Sequence, residues 1–176
     1  MKNLIYFSLL IIFAGLNACN KTSGINISET QLTTCDNGAN CDYIFTLSSD
    51  VDSDFHYVAD GNHKVFTYKK NFGSNQTNLF ILAPKTGNSF SISNNEIKNG
   101  LVKVQFISPL GLSVGFKAVG GEVKGKNLPP EKALDQSKWL IDAKIYLAAD
   151  AKVKGDQKIK DTLYLKQYFY PNFVFD

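Results

Sequence analysis

Trp139-Leu140-Ile141-Asp142-Ala143-Lys144-Ile145-Tyr146-Leu147-Ala148 sets the fold class. Ile141, Ala143, Ile145 and Leu147 fall on one side of an extended chain, and Asp142, Lys144 and Tyr146 on the other. Strict two-residue alternation is the signature of a strand with one face in a core. Thr162 to Phe169 repeats the pattern and is the natural antiparallel partner.

Upstream, similar short segments recur between clusters of Asn, Asp, Gly and Ser. Tyr43–Leu47, Asn78–Leu82, Ser89–Ser93, Leu101–Ile107 and Leu112–Val119 each read as strands. Phe55–Val58 and Lys64–Tyr68 flank Asp60-Gly61, a hairpin signal, and Ile25–Thr34 is a candidate first strand. Only Pro130–Ser137 reads as a helical turn or two, with proline at its start. The expectation is an all-β domain: an antiparallel β-sandwich of Ig-like or jelly-roll type with one short helical segment, or alternatively a small β-barrel.

The N-terminus has a separate logic. Lys2 precedes an apolar run from Leu4 to Leu16, too short to span a hydrocarbon core. The run ends in Leu16-Asn17-Ala18-Cys19, which resembles the lipobox of bacterial lipoproteins. The resemblance implies removal of residues 1–18 and attachment of lipid to Cys19. Residues 19–24 then form a short polar tether, and 25–176 a single β-rich domain riding close to the membrane. Asn20 stands where an aspartate would resemble an inner-membrane retention signal, and Lys21-Thr22-Ser23 lacks the acidic cluster that resembles a surface-export signal, so the outer membrane, facing the periplasm, is expected.

The chain has 176 residues, 44% of them hydrophobic, enough for one cored domain. Without Lys2, 18 lysines against 16 acidic residues leave a net charge of only +2. All the basic residues are lysine, so the planar fork of arginine is absent. No basic stripe of the kind nucleic acid requires is visible. Cys19 being assigned to lipid, Cys35 and Cys41 remain, separated by a turn built on Asn37-Gly38. In an extracytoplasmic domain they are expected to form a disulfide, leaving no thiol for catalysis.

Several motifs fall short of catalytic or metal chemistry. Gly111-Leu112-Ser113-Val114-Gly115 fits G-x-S-x-G, but an apolar, strand-like run follows and both histidines, His56 and His63, precede it. Gly120–Asn127 approaches a phosphate loop, yet Asn127 replaces the magnesium-binding hydroxyl and Pro129-Pro130 forbids the required helix. Asp50, Asp52 and Asp54 open like a calcium loop but lack its glycine and its terminal glutamate. His56 and His63, with Asp54, are the weak metal candidates and the basis of an alternative reading as a hydrolase or metal-dependent enzyme. Asp161-Thr162-Leu163 resembles a short O-glycosylation site of some Gram-negative envelopes.

Two surfaces stand out for binding. Lys152, Lys154, Lys158 and Lys160 surround Gly155-Asp156 and share one face of a predicted hairpin, suited to shielding a sheet edge or meeting an anionic surface. Tyr164, Tyr168 and Tyr170 share a strand face that suits a half-wet contact such as a sugar. The chain therefore reads as a membrane-anchored, non-catalytic envelope module. A glycan, an envelope component or a protein is the expected partner, and no cofactor is called for.

Overall fold

A computed structural model describes residues 24–108, 116–130, 132–149 and 159–172. The chain is all-β with one short helix. Its strands are β1 (Ala39–Val51), β2 (Tyr57–Ala59), β3 (His63–Phe72), β4 (Asn75–Pro84), β5 (Ser89–Ile92), β6 (Val102–Ile107), β7 (Phe116–Leu128), β8 (Lys138–Ala149) and β9 (Ile159–Pro171). They join edge to edge in the order β5-β7-β8-β9-β1-β3-β4-β6, with β2 added to β1. The sheet curls into a half-barrel, an arrangement between the sandwich and the small barrel expected from the sequence. Every pairing is antiparallel except β1 with β9, which is parallel and short: only Ile44 with Tyr170 and Phe45 with Pro171 are in register.

The Trp139–Ala148 stretch behaves as its alternation requires. It pairs antiparallel with β9, Trp139 opposite Phe169 and Ile145 opposite Leu163. Its odd-numbered residues enter one core with residues from the other half of the sheet. Phe66 is the hub, with its ring centroid 5.4 Å from those of Phe90 and Trp139, 5.6 Å from Phe45 and 5.7 Å from Phe169. These tilted and edge-on geometries are the favoured aromatic ones. The outer face of β3 and β4 carries a smaller cluster of Val51, Val65, Phe80 and Leu82, against which Phe55 packs.

Three local expectations change. The segments flanking Asp60-Gly61 do not pair with each other; both add to β1, with Ala59 and His63 each opposite Ser49. A bulge between Thr46 and Ser49 bends β1 there. The amide of Gly61 bonds the carbonyl of Ser48 at 2.9 Å, and the bare glycine Cα sits against the Ser49 backbone. Second, helical turns form at two places. Pro130–Ser137 contributes only a 3-10 turn, Leu134–Gln136, whereas helix α1 (Asn94–Glu96) runs on into a π-helical turn, Ile97–Leu101. The Glu96 carboxylate accepts from the Ser93 amide at 2.8 Å and the Ser93 hydroxyl at 2.6 Å, a capping interaction that starts the turn. Third, residues 25–34 form no strand; the chain bends at Glu29 and at Gln31, the latter at φ 58°.

Candidate functional site

The short β1–β9 pairing determines where an opening can form. The two strands meet only at Ile44 and Phe45, so the first residues of β1 have no strand partner on the β9 side. The segment before β1 crosses this region. The Thr33 amide donates to the Lys166 carbonyl at 2.7 Å, the Lys166 amide donates to Thr33 Oγ1 at 2.8 Å, and Gln167 Nε2 donates to the Thr33 carbonyl at 3.0 Å. Further back, the Tyr168 hydroxyl donates to the Glu29 carboxylate. Further on, the Lys70 ammonium at the far end of β3 pairs with Asp36. This strap is stapled to β1 by the expected Cys35–Cys41 disulfide, and Gly38, at φ 81°, makes the intervening turn.

Between strap and sheet lies a cleft of about 330 Å³. Its floor is apolar: Val104, Phe106, Phe116, Leu147 and Leu163. Its rim is polar, with Thr33, Thr34, Asp36, Lys70, Thr77, Asp161 and Tyr164. A neighbouring hollow of about 240 Å³ continues it along Phe72 and Asn75, sharing Asp36, Lys70, Thr77 and Phe106. An apolar floor with a few polar groups at its edge is the usual composition of a small-molecule site, and the volume falls at the lower end of the ordinary range.

Tyr68 forms part of the wall. Burial raises its phenol above the ordinary range, and the Asp36 carboxylate adds to the effect. Tyr43, directly opposite in register, stacks on it with centroids 5.2 Å apart. Burial raises the Tyr43 phenol too, followed by Tyr68 and Asp36, with Lys70 opposing.

Of the residues singled out in the sequence, Asp161, Leu163 and Tyr164 lie at this cleft. Tyr164, Tyr168 and Tyr170 do share one face of β9, opposite the buried Leu165 and Phe169. They have separate surroundings: Lys138 Nζ lies 4.1 Å from the Tyr168 ring centre, Lys144 Nζ lies 5.6 Å from that of Tyr164, and Tyr170 is exposed. Lys160 belongs to β9. Lys152, Lys154 and Lys158, Cys19 and the Gly111–Gly115 motif lie outside the described residues. Gly120–Asn127 is extended strand in the middle of β7, so the phosphate-loop resemblance has no structural counterpart.

The two histidines do not work together. His63 Nδ1 contacts the Asp50 carboxylate, while His56 Nδ1 is 3.5 Å from Asp52. Asp50 is held below the usual carboxylate range by the Asn62 amide first, then by His63. Asp52 Oδ1 accepts from the amides of Asp54 and His56, at 2.8 and 2.9 Å, and so closes its own loop. The Lys103 ammonium takes the carbonyls of Val51 and Asp52, where a calcium ion would need free oxygens. Among the described residues no three His, Cys, Asp or Glu side chains converge as a metal site would need.

The cleft was not read from the sequence. Its residues come from the strap and from β3, β4, β6, β7, β8 and β9, and the sequence features that touch it, the disulfide next to Asp36 and the Asp161–Tyr164 stretch, were read separately and for other reasons. Comparison with known proteins returns no matching family and no significant similarity to a curated protein or a solved structure.

Proposed function

We propose that this chain is a lipid-anchored module of the bacterial envelope that holds a small ligand in the cleft between its N-terminal strap and the half-barrel. The cleft's apolar floor beside a polar rim carries the reading: five buried or half-buried apolar side chains share one hollow with hydroxyls and charges. Anchoring rests on the lipobox-like Leu16-Asn17-Ala18-Cys19. With lipid on Cys19 and the strap beginning a few residues later, the cleft is held near the membrane, on the expected outer-membrane face toward the periplasm.

Two measurements test this. Metabolic labelling with an alkyne fatty acid should mark the chain and lose the signal in Cys19→Ser; equal labelling of the variant refutes the anchor. Native mass spectrometry of chain purified from envelopes should show a small adduct that Leu163→Trp, which fills the cleft, abolishes. An adduct retained at full occupancy by Leu163→Trp refutes the cleft as its seat.

A further inference from the structure

The curled sheet does not close on itself. β6 pairs only with β4, and β7 pairs with β8 along its length but with β5 only over Val123–Lys126. The open edge of β6 lies against the open first half of β7, and the π-helical turn Ile97–Leu101 packs beside them. In this seam is a hollow of about 200 Å³. It adjoins the cleft across Val104 and Phe116, which line both, but its chemistry is different.

Three lysines line the hollow: Lys98 from the turn, Lys103 from β6 and Lys117 from β7. Among the described residues lining it there is no aspartate or glutamate. Carboxylates that flank the lining in sequence are engaged elsewhere. Asp52 Oδ1 accepts from the amides of Asp54 and His56, and Glu96 accepts from the Ser93 amide and hydroxyl. Lys98 and Lys117 are exposed, and among the described residues neither ammonium has an ion-pair or hydrogen-bond partner. Lys103 is anchored: its ammonium donates to the carbonyls of Val51 and Asp52. An ammonium carries three donors, so one N–H of this fixed group is left over.

The remaining walls are largely apolar, with Phe55, Val102, Phe116 and Ala118. A free phosphate gains nothing from such walls. A neutral amphiphile leaves the ammonium groups unanswered, and a cation is repelled by them. An anion that carries an alkyl stretch meets both features. The volume is below the ordinary range for a whole small molecule, so the hollow suits a head and the first carbons of a longer body.

We propose that the seam between β6 and β7 is a second binding site, distinct from the cleft. It takes the anionic head and adjoining alkyl segment of an amphiphile, with Lys98, Lys103 and Lys117 neutralising the head. The site stands on these residues and does not require that the cleft hold a ligand.

The test titrates the full chain in zwitterionic lipid nanodiscs, against empty nanodiscs, with hexyl phosphate, inorganic phosphate, hexylammonium and hexyl β-glucoside. Hexyl phosphate is expected to bind about tenfold tighter than each of the others, because it alone brings charge and apolar surface together. Lys98→Gln/Lys117→Gln should weaken hexyl phosphate about tenfold. Lys85→Gln/Lys132→Gln removes the same charge from exposed lysines outside the lining and should leave binding unchanged. Leu163→Trp, which fills the cleft, should leave it unchanged as well. Unaltered urea midpoints show that the lysine variants fold as the parent does. Inorganic phosphate binding as tightly as hexyl phosphate overturns the apolar part of the site. Hexylammonium or the glucoside binding as tightly overturns the anionic head. Equal weakening by the two lysine pairs, or loss of binding in Leu163→Trp, overturns the seam as the seat, and no binding of hexyl phosphate overturns the site altogether.

Discussion

Thr33 and Lys166, far apart in sequence, are joined by two hydrogen bonds: the Thr33 amide to the Lys166 carbonyl at 2.7 Å and the Lys166 amide to Thr33 Oγ1 at 2.8 Å. The strap satisfies these β9 backbone groups where β1 does not reach them, and in doing so makes one wall of the cleft. An unpaired sheet edge has become a cleft wall, which gives a segment outside the sheet a defined structural task.

The disulfide should hold that wall in place. In the chain-entropy model, opening so small a ring loses about 2 kcal/mol. Cys35→Ser/Cys41→Ser is therefore expected to lose about 2 kcal/mol of stability and to unfold at a lower urea concentration. Hydrogen exchange should also accelerate at the Lys166 amide while the amides of Phe66 and Ile141 keep their order of protection. Unchanged exchange at Lys166 would mean that the strap holds without its staple.

Phe66 should be the most sensitive core position. Its ring meets Phe45, Phe90, Trp139 and Phe169, which come from both halves of the curled sheet. Phe66→Ala opens a cavity at their junction and is expected to destabilise by about 3–5 kcal/mol. Phe55→Ala, at the smaller outer cluster, should have less effect. Urea denaturation followed by Trp139 fluorescence reads both.

How much of this was legible follows from the range of the interactions. Alternation in Trp139–Ala148 reports which side is buried, because burial acts on each residue where it stands; β8 and its partner β9 were read correctly. The Cys35–Cys41 bridge was legible because a local turn sets it. The Asp60-Gly61 hairpin was misread because a turn signal marks a reversal without naming the partner, and the bulged end of β1 accepted both flanking segments. The cleft lay beyond reach for the same reason. Thr33, Lys70, Val104 and Leu163 have no pattern in common along the chain, and only the curl of the sheet brings them together.

The Gly61 position separates close approach from backbone freedom. A Cβ there would lie 2.3 Å from the Ser49 carbonyl carbon and 2.4 Å from the Asp50 nitrogen, backbone atoms that cannot turn aside. Gly61→Ala should destabilise by about 3 kcal/mol or more. Gly73, in the β3–β4 turn at φ 56°, has open space around it. Gly73→Ala meets only the left-handed backbone penalty, about 1–2 kcal/mol. Equal effects from the two variants would contradict the packing of the Asp60-Gly61 turn against β1.

Lys64 gives the chain a pH signature. Its side chain is only 5% exposed and enters the inner face beside Phe66, with Nζ 3.8 Å from the Trp139 ring centre. Burial pulls the ammonium down to about 8 from 10.5. Between those values the unfolded chain binds more protons than the folded one, so stability rises with pH. The gain begins as pH passes about 8 and is complete above the unfolded value; below about 8 the charged amine opposes folding in full. The shift corresponds to about 3 kcal/mol, and loss of the cation–ring contact offsets about 1 kcal/mol of any gain from removing the charge. Lys64→Met should therefore stabilise the chain by about 2 kcal/mol at pH 7. It should also flatten the rise between pH 8 and 10. Denaturation midpoints of both proteins at pH 7, 8, 9 and 10 give the comparison. An unchanged slope in Lys64→Met would assign the pH dependence to another group and leave Lys64 solvated in its charged form.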